Sequence, residues 1–200
     1  MKLAALILAA GESRRMGAPK ALLPLAGETF LDRLIAAFEP WCCPVVVVTG
    51  HDAERIQTQS RRASEARFVR NHEYRLGQLS SLQCGLRAVP ADCDGVLFTP
   101  VDYPAIQPAT IARLAERFAR RRLGELLVIP RCEGRRGHPV ACARELFPEF
   151  LSLPPEAQAR EVIRRHREET VYVDVEDPGI LEDADDLPAY ERLKLRFGAL

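Results

Sequence analysis

Leu3-Ala-Ala-Leu-Ile-Leu-Ala-Ala-Gly-Glu-Ser-Arg-Arg-Met-Gly-Ala-Pro-Lys20-Ala-Leu-Leu-Pro-Leu-Ala-Gly27 is an apolar run that breaks into a small, glycine-bearing, basic loop. Leu3 to Ala9 has the length and uniform apolarity of a strand buried on both faces, as in a parallel sheet. Gly11 and Gly17 let the backbone approach a ligand with no Cβ in the way. Arg14, Arg15 and Lys20 put positive charge on the same loop. At the carboxyl end of a first strand such a loop suits a nucleoside triphosphate; the competing reading is a solvated surface turn. The spacing is not that of the common phosphate loop. Five residues separate the glycines, Lys20 comes three after Gly17, and Ala21 rather than Ser or Thr follows it.

Outward from this stretch, strands alternate with helices. Thr29 to Phe38 carries apolar residues at helical spacing, and Val45 to Val48 reads as a buried strand ending at Thr49-Gly50. His51 to Arg62 reads as a polar helix, Ala66 to Val69 as a short strand, Asn71 to Gln78 as a loop, and Gly77 to Leu86 as the opening of a helix. Gly95 to Thr99 is the next strand and runs into Pro100-Val101-Asp102-Tyr103-Pro104; Ile106 to Arg122 is a helix and Glu125 to Pro130 a strand. From Arg131 the alternation stops. Gly134 to Val140 reads as a glycine-rich turn, Ala143 to Phe150 and Pro155 to His166 as helices, Thr170 to Val175 as a late strand, and the tail from Asp183 as acidic and then helical to Phe197. Such alternation predicts an α/β domain with a mostly parallel sheet. Ligands of such sheets sit beyond the carboxyl ends of the strands, where the first loop, Thr49-Gly50 and Asp102 all lie.

The 200 residues, 47% hydrophobic and 28% charged, suit one globular domain over 1–200. Lys plus Arg and Asp plus Glu are 28 each, which speaks against a general nucleic-acid binder. No cysteine pair has CxxC spacing, so the thiols read as reduced. The apolar start imitates a short secretory leader, but cleavage near Ala10 would destroy the loop. No stretch approaches the ~18 apolar residues of a membrane helix. The expectation is a cytoplasmic protein with neither nucleic acid nor membrane among its partners.

Four further places carry chemistry, each with a plainer alternative. Asp102, stiffened by Pro100 and Pro104, is either a ligand for Mg²⁺, which keeps waters and bridges phosphate oxygens, or the start of a turn. Ser80 and Ser81 either cap a helix or line a site beside its free N–H groups. Arg135-Arg136-Gly137-His138-Pro139-Val140 is either a tight turn around a satisfied histidine or an anion site on arginine forks. Asp183 and Asp185 open an acidic segment that the helix dipole alone would favour.

The residues Leu8-Ala9-Ala10-Gly11-x-Ser13-x-Arg15-Met16-Gly17-x-Pro19-Lys20-x-Leu22-Leu23 closely resemble the signature of the molybdenum cofactor nucleotidyltransferases, and of their cytidylyltransferase branch in particular. The guanylyltransferase branch has glycines where this chain has Ala10 and Ser13, and an Asp where it has Pro19. The resemblance continues through Gly77–Leu86, Asp102-x-Pro104, Arg136–Val140 and Gly179-Ile180-Leu181-x-Asp183-x-Asp185, although the Thr-Pro-Glu-Asp that should follow is absent.

It implies a Rossmann-like, three-layer nucleotidyltransferase fold. It also implies transfer of CMP from CTP to the phosphate of molybdenum-bound molybdopterin, with release of pyrophosphate. Arg15, Lys20 and Asp102 would be catalytic. Leu8, Ala9, Ala10, Gly11, Ser13, Arg15, Gly17, Lys20, Thr49, Gly50, Ser80 and Ser81 would surround the nucleotide. Arg136, Gly137 and His138 would take the acceptor. Mg²⁺ would sit on Asp102 with Asp183 or Asp185, the choice leaning to Asp183. A molybdenum hydroxylase would receive the product. The rivals are a nucleotidyltransferase for another substrate pair, GTP-dependent or acting on a sugar or polyol phosphate, and a non-catalytic chaperone for the cofactor.

Overall fold

In the computed structural model, which describes residues 1–154 and 156–197, β1 (Leu3–Ala9) is buried at every position. Its side chains alternate between two apolar layers, with Leu3, Ala5, Ile7 and Ala9 in one and Ala4, Leu6 and Leu8 in the other. A hairpin of β2 (Pro24–Leu25) and β3 (Glu28–Thr29) leads into α1 (Phe30–Phe38), where the Thr29 hydroxyl caps the helix by accepting from Asp32 N at 3.1 Å. There follow β4 (Val45–Thr49), α2 (Ala53–Gln59), β5 (Arg67–Arg70), α3 (Gln78–Ala88), β6 (Gly95–Pro100), α4 (Pro108–Ala119) and β7 (Leu127–Cys132). β8 (Arg135–Arg136), β9 (Val140–Ala143), α5 (Phe147–Ser152), α6 (Arg160–Arg165), β10 (Thr170–Asp174) and α7 (Leu187–Phe197) complete the chain.

The main sheet has the order β10-β7-β9-β6-β1-β4-β5, with β8 paired to β7. β1 is parallel to β4 and β6, β4 to β5, and β7 to β10. Helices α1, α4 and α7 cover one face through Leu34, Phe38, Leu114, Phe118 and Leu193; α3, α5 and α6 cover the other through Leu82, Leu86, Phe150 and Val162. This is the α/β domain with a mostly parallel sheet that alternation predicts, in the three-layer, Rossmann-like form that the resemblance implies. Because Leu8 pairs with Pro100 and Ala9 with Thr49, the loops after β1, β4 and β6 leave the sheet on one edge. No helix among the described residues is long and apolar enough to cross a membrane.

The departures from expectation have local causes. The helix expected over His51–Arg62 spans only Ala53–Gln59, because the buried Asp32 carboxylate captures Ser60 Oγ at 2.6 Å and Arg62 N at 3.2 Å and turns the chain away. The helix expected over Ile106–Arg122 is trimmed at both ends. Asp177 accepts from Gln107 N at 2.9 Å, and Glu125 accepts from Arg122 N at 2.8 Å. The largest correction is β9. Val140–Ala143, read as the end of a turn and the start of a helix, is a wholly buried strand running antiparallel between β6 and β7. Helix α5 therefore starts only at Phe147, and α6 at Arg160; Pro155, where a helix was expected to begin, lies outside the described residues.

Candidate active site

Past Ala9 the chain leaves the sheet and closes a loop on itself. Ser13 takes a left-handed conformation (φ 51°); its carbonyl accepts from Met16 N and its hydroxyl from Lys20 N, both at 2.9 Å. Met16 is buried in the core and anchors the loop from below. Ser13 thus ties the loop's beginning to its end and fixes the backbone of Lys20 before its side chain is placed. The loop forms one wall of a cleft of about 540 Å³. The start of α3, the residues after β6 and Asp185 form the rest. Leu8, Ala9, Ala10, Gly11, Ser13, Arg15, Lys20, Ser81, Asp102 and Asp185 all line it; Gly17, Thr49, Gly50, Ser80 and Asp183 do not.

Lys20 is the centre of charge. Its Nζ stands 3.2 Å from Asp102 Oδ2 and 2.8 Å from Asp185 Oδ1. Burial opposes its charge, but the two carboxylates outweigh burial and hold the ammonium above the ordinary lysine range. Burial also pushes the Asp102 carboxyl up, and Lys20 only partly offsets it. The Lys20 hydrogen bond holds the more exposed Asp185 below the usual carboxylate range. Asp102 Oδ1 is buried without a hydrogen-bond partner. A buried carboxylate oxygen left open beside a basic loop is a suitable ligand for a hard cation.

Among the described residues no three His, Cys, Asp or Glu side chains converge to cage a metal by themselves. Mg²⁺ does not need such a cage, since it is held by one or two carboxylates, substrate phosphates and waters. Of the two tail aspartates, it is Asp185 whose carboxylate contacts Lys20. Ala184 is buried and donates its N–H to Asp102 O at 3.0 Å, which pins the tail so that Asp185 reaches Lys20. The charge of Asp183 acts on Asp102 and on Tyr103, whose hydroxyl pKa is raised by burial first and then by that charge.

The serines divide. Asn71 Nδ2 donates to Ser80 Oγ at 2.9 Å and to Ser81 Oγ at 3.1 Å. The Ser80 hydroxyl turns back to Gly77 O at 2.8 Å, whereas Ser81 faces the cleft. Neither caps α3, whose N-cap is Gly77 and carries no side-chain bond. Thr49 spends its hydroxyl on Val69 O at 3.3 Å. Gly50 is needed for close approach, since a Cβ there would stand 2.6 Å from Tyr74 Cβ and 2.8 Å from Ala10 O.

The Arg136-Gly137-His138 segment does not line this cleft. Gly137 N donates to Pro130 O at 3.1 Å and His138 N to Ile180 O at 3.0 Å, stitching the segment to β7 and the tail. The His138 ring lies 4.6 Å from that of Tyr103, next to Asp102 in sequence. Its Nδ1 is buried without a partner, and burial pushes the imidazole down to about 4, so the ring is neutral at physiological pH. Arg136 is exposed, with its guanidinium 5.0 Å from the centre of the Tyr172 ring.

Sequence reasoning overlooked Glu12, Tyr74 and Gln78, all of which line the cleft. Glu12 was readable as the one acidic residue in a basic loop. Tyr74 sits in a stretch read as plain loop, with no signal of its own, whereas Gln78 stands in the Gly77–Leu86 segment, whose serines alone were singled out.

The sequence description of the MobA-like NTP transferase domain matches residues 5–171. The chain is 31% identical over 194 residues to nicotine blue oxidoreductase of Paenarthrobacter nicotinovorans, covering 94% of each. It is 26% identical over 192 residues to molybdenum cofactor cytidylyltransferase of Escherichia coli, covering 96% of this chain and 95% of that one. A solved nucleotidyl transferase from Methanothermobacter superposes with a TM-score of 0.80 at 26% identity, over 98% of this chain and 97% of that one.

Proposed function

We propose, since the chain belongs to the family of the MobA-like NTP transferase domain, that it is a single nucleotidyltransferase domain moving CMP from CTP to the phosphate of molybdenum-bound molybdopterin, in the cytoplasm. The observation that carries this reading is Lys20, held between Asp102 and Asp185 under a basic loop while Asp102 Oδ1 stays open. The 26% identity to a molybdenum cofactor cytidylyltransferase supports the acceptor and the base.

In this reading an oxygen of the acceptor phosphate attacks the α-phosphorus of CTP, and the bond to the β-phosphate breaks to release pyrophosphate. The protein's part is positioning and charge neutralisation. The backbone of Ala10, Gly11 and Ser13 carries the nucleotide along the loop, and Arg15 and Lys20 take up the growing charge on the leaving pyrophosphate. A unit charge pair at about 4 Å is worth roughly 4 kcal/mol at an effective dielectric of 20. Asp102, with Asp185 beside it, would hold Mg²⁺, which would supply positive charge to offset that of the phosphates. Arg136, Gly137 and His138 take the acceptor, with Tyr103 behind the histidine. A molybdenum hydroxylase would receive the product.

The 31% identity to a protein named nicotine blue oxidoreductase favours a second reading, in which the cleft seats a nucleotide cofactor for a redox step. The test is to incubate the full chain with Mg²⁺, CTP or GTP, and molybdenum-bound molybdopterin. Pyrophosphate equal to the cytosine dinucleotide formed is the expected result. No pyrophosphate with either nucleotide, together with electron transfer from added reduced nicotinamide dinucleotide to an added quinonoid dye, which is reduced as the dinucleotide is oxidised, would establish the second reading instead.

A further inference from the structure

Glu12 is a carboxylate in a cleft otherwise built for phosphates. Its two oxygens are each held by an arginine: Oε2 by Arg14 of the same loop, and Oε1 by Arg75 Nε at 3.3 Å, on the turn that precedes α3. The side chain is mostly covered, yet it faces the cleft. Repulsion would keep a triphosphate away from it, and the phosphate end of the cleft is already marked by Lys20, Asp102 and Asp185. Glu12 lines the same cleft and is joined through Arg75 to the turn carrying Tyr74, which runs directly into Gly77 and the start of α3.

The polar groups there form a pattern. Gly77 offers α3 no side-chain cap, so first-turn N–H groups remain as donors. Ser81 accepts from Asn71 and keeps its own hydroxyl hydrogen to give. Gln78 adds an amide. Donors therefore cluster at the start of α3, and a charged acceptor on the loop lines the same cleft. Cytosine has the complementary edge, with a carbonyl and a ring nitrogen that accept and an exocyclic amine that donates. Uracil has the same size but a carbonyl in place of that amine, and a carboxylate would repel it. A carboxylate oxygen has two lone pairs, so one arginine on each leaves room for the base.

We infer that Glu12 chooses the base, accepting a hydrogen bond from the exocyclic amine of cytosine while the start of α3 takes the base's acceptors. The inference rests on the CTP reading above and adds to it a residue that separates nucleotides of equal size.

Calorimetric titration of the full chain, Glu12→Ala and Glu12→Gln with CTP, UTP and GTP, in Mg²⁺ and without pterin, tests it. The wild-type chain should bind CTP more tightly than UTP. In Glu12→Ala the CTP-to-UTP ratio should fall by about tenfold or more, the range of a hydrogen bond to a charged group. Binding of UTP should hold or improve, because the two arginines are freed for any triphosphate. Glu12→Gln keeps one acceptor oxygen and should fall between. An equal change for CTP and UTP would overturn the inference and leave Glu12 as a tie between loop and turn. A wild-type preference for GTP would overturn the CTP reading itself; a CTP preference that survives in Glu12→Ala removes the inference alone.

Discussion

Two strands leave the sheet on the same edge, β6 at Pro100 and β4 at Thr49, and only the first delivers charge to the cleft. Beyond β6, Asp102 has one oxygen on Lys20 at 3.2 Å and the other without a partner. Beyond β4, the Thr49 hydroxyl is given to Val69 O, and Gly50 is covered by Tyr74. The two ends look alike in sequence, each a buried apolar strand closing on a polar residue. The difference teaches that a strand's carboxyl end supplies a location. Chemistry follows only where the polar groups are not already satisfied by the protein.

The largest effect should come from Lys20→Ala, which removes the cation that both carboxylates hold. We expect kcat/KM for dinucleotide formation to fall by at least about 10²–10³-fold, with circular dichroism and thermal midpoint little changed. A loss below tenfold would put the β6 end on the same footing as the β4 end.

Asp102→Asn should come next, flattening the Mg²⁺ dependence of turnover because it removes the open oxygen's charge without changing shape. Asp185→Asn should weaken Mg²⁺ dependence less, and Asp183→Asn least. An unaltered Mg²⁺ titration for Asp102→Asn would make that residue structural.

The β4 end should answer in stability instead. Gly50→Ala forces Tyr74 or Ala10 aside and should cost about 1–3 kcal/mol in urea unfolding, the usual scale of overpacking. Turnover per folded molecule should stay within a few-fold of wild type; a collapse of kcat would show that Gly50 touches substrate.

A smaller effect extends the β6 side to the His138 segment. His138 binds its proton in the unfolded chain near its ordinary value of 6.5 but in the folded chain only near 4. The unfolded state therefore holds more protons across that window, and the histidine's contribution to stability is lost as pH falls from about 6.5 towards 4. Urea midpoints of wild type should drop faster over that range than those of His138→Gln; parallel curves would mean the ring is not buried neutral. The smallest effect is Thr49→Val, about 0.5–1.5 kcal/mol of stability for one neutral hydrogen bond. Its kcat should be unchanged.

Much of this was legible in the chain because it rests on local rules. Seven successive apolar residues specify a strand covered on both faces, and a glycine-bearing basic loop after it specifies where an anion can approach. Thr29 before an amphipathic run marks the start of α1. Lys20, Asp102 and the tail aspartates were visible as charges at predicted turns. What the chain could not show depends on partners distant in sequence. Val140-Ala141-Cys142-Ala143 is too short and too small in side chain to announce a strand, and it becomes one because its backbone pairs with both β6 and β7. Asp185 rather than Asp183 reaches Lys20 because Ala184 is pinned to Asp102 from more than eighty residues away. Thr49 is silent because β5 happens to present it a carbonyl. A residue's type sets which bonds it can make; the tertiary structure decides which of them the protein has already used, and only the remainder is free for a ligand.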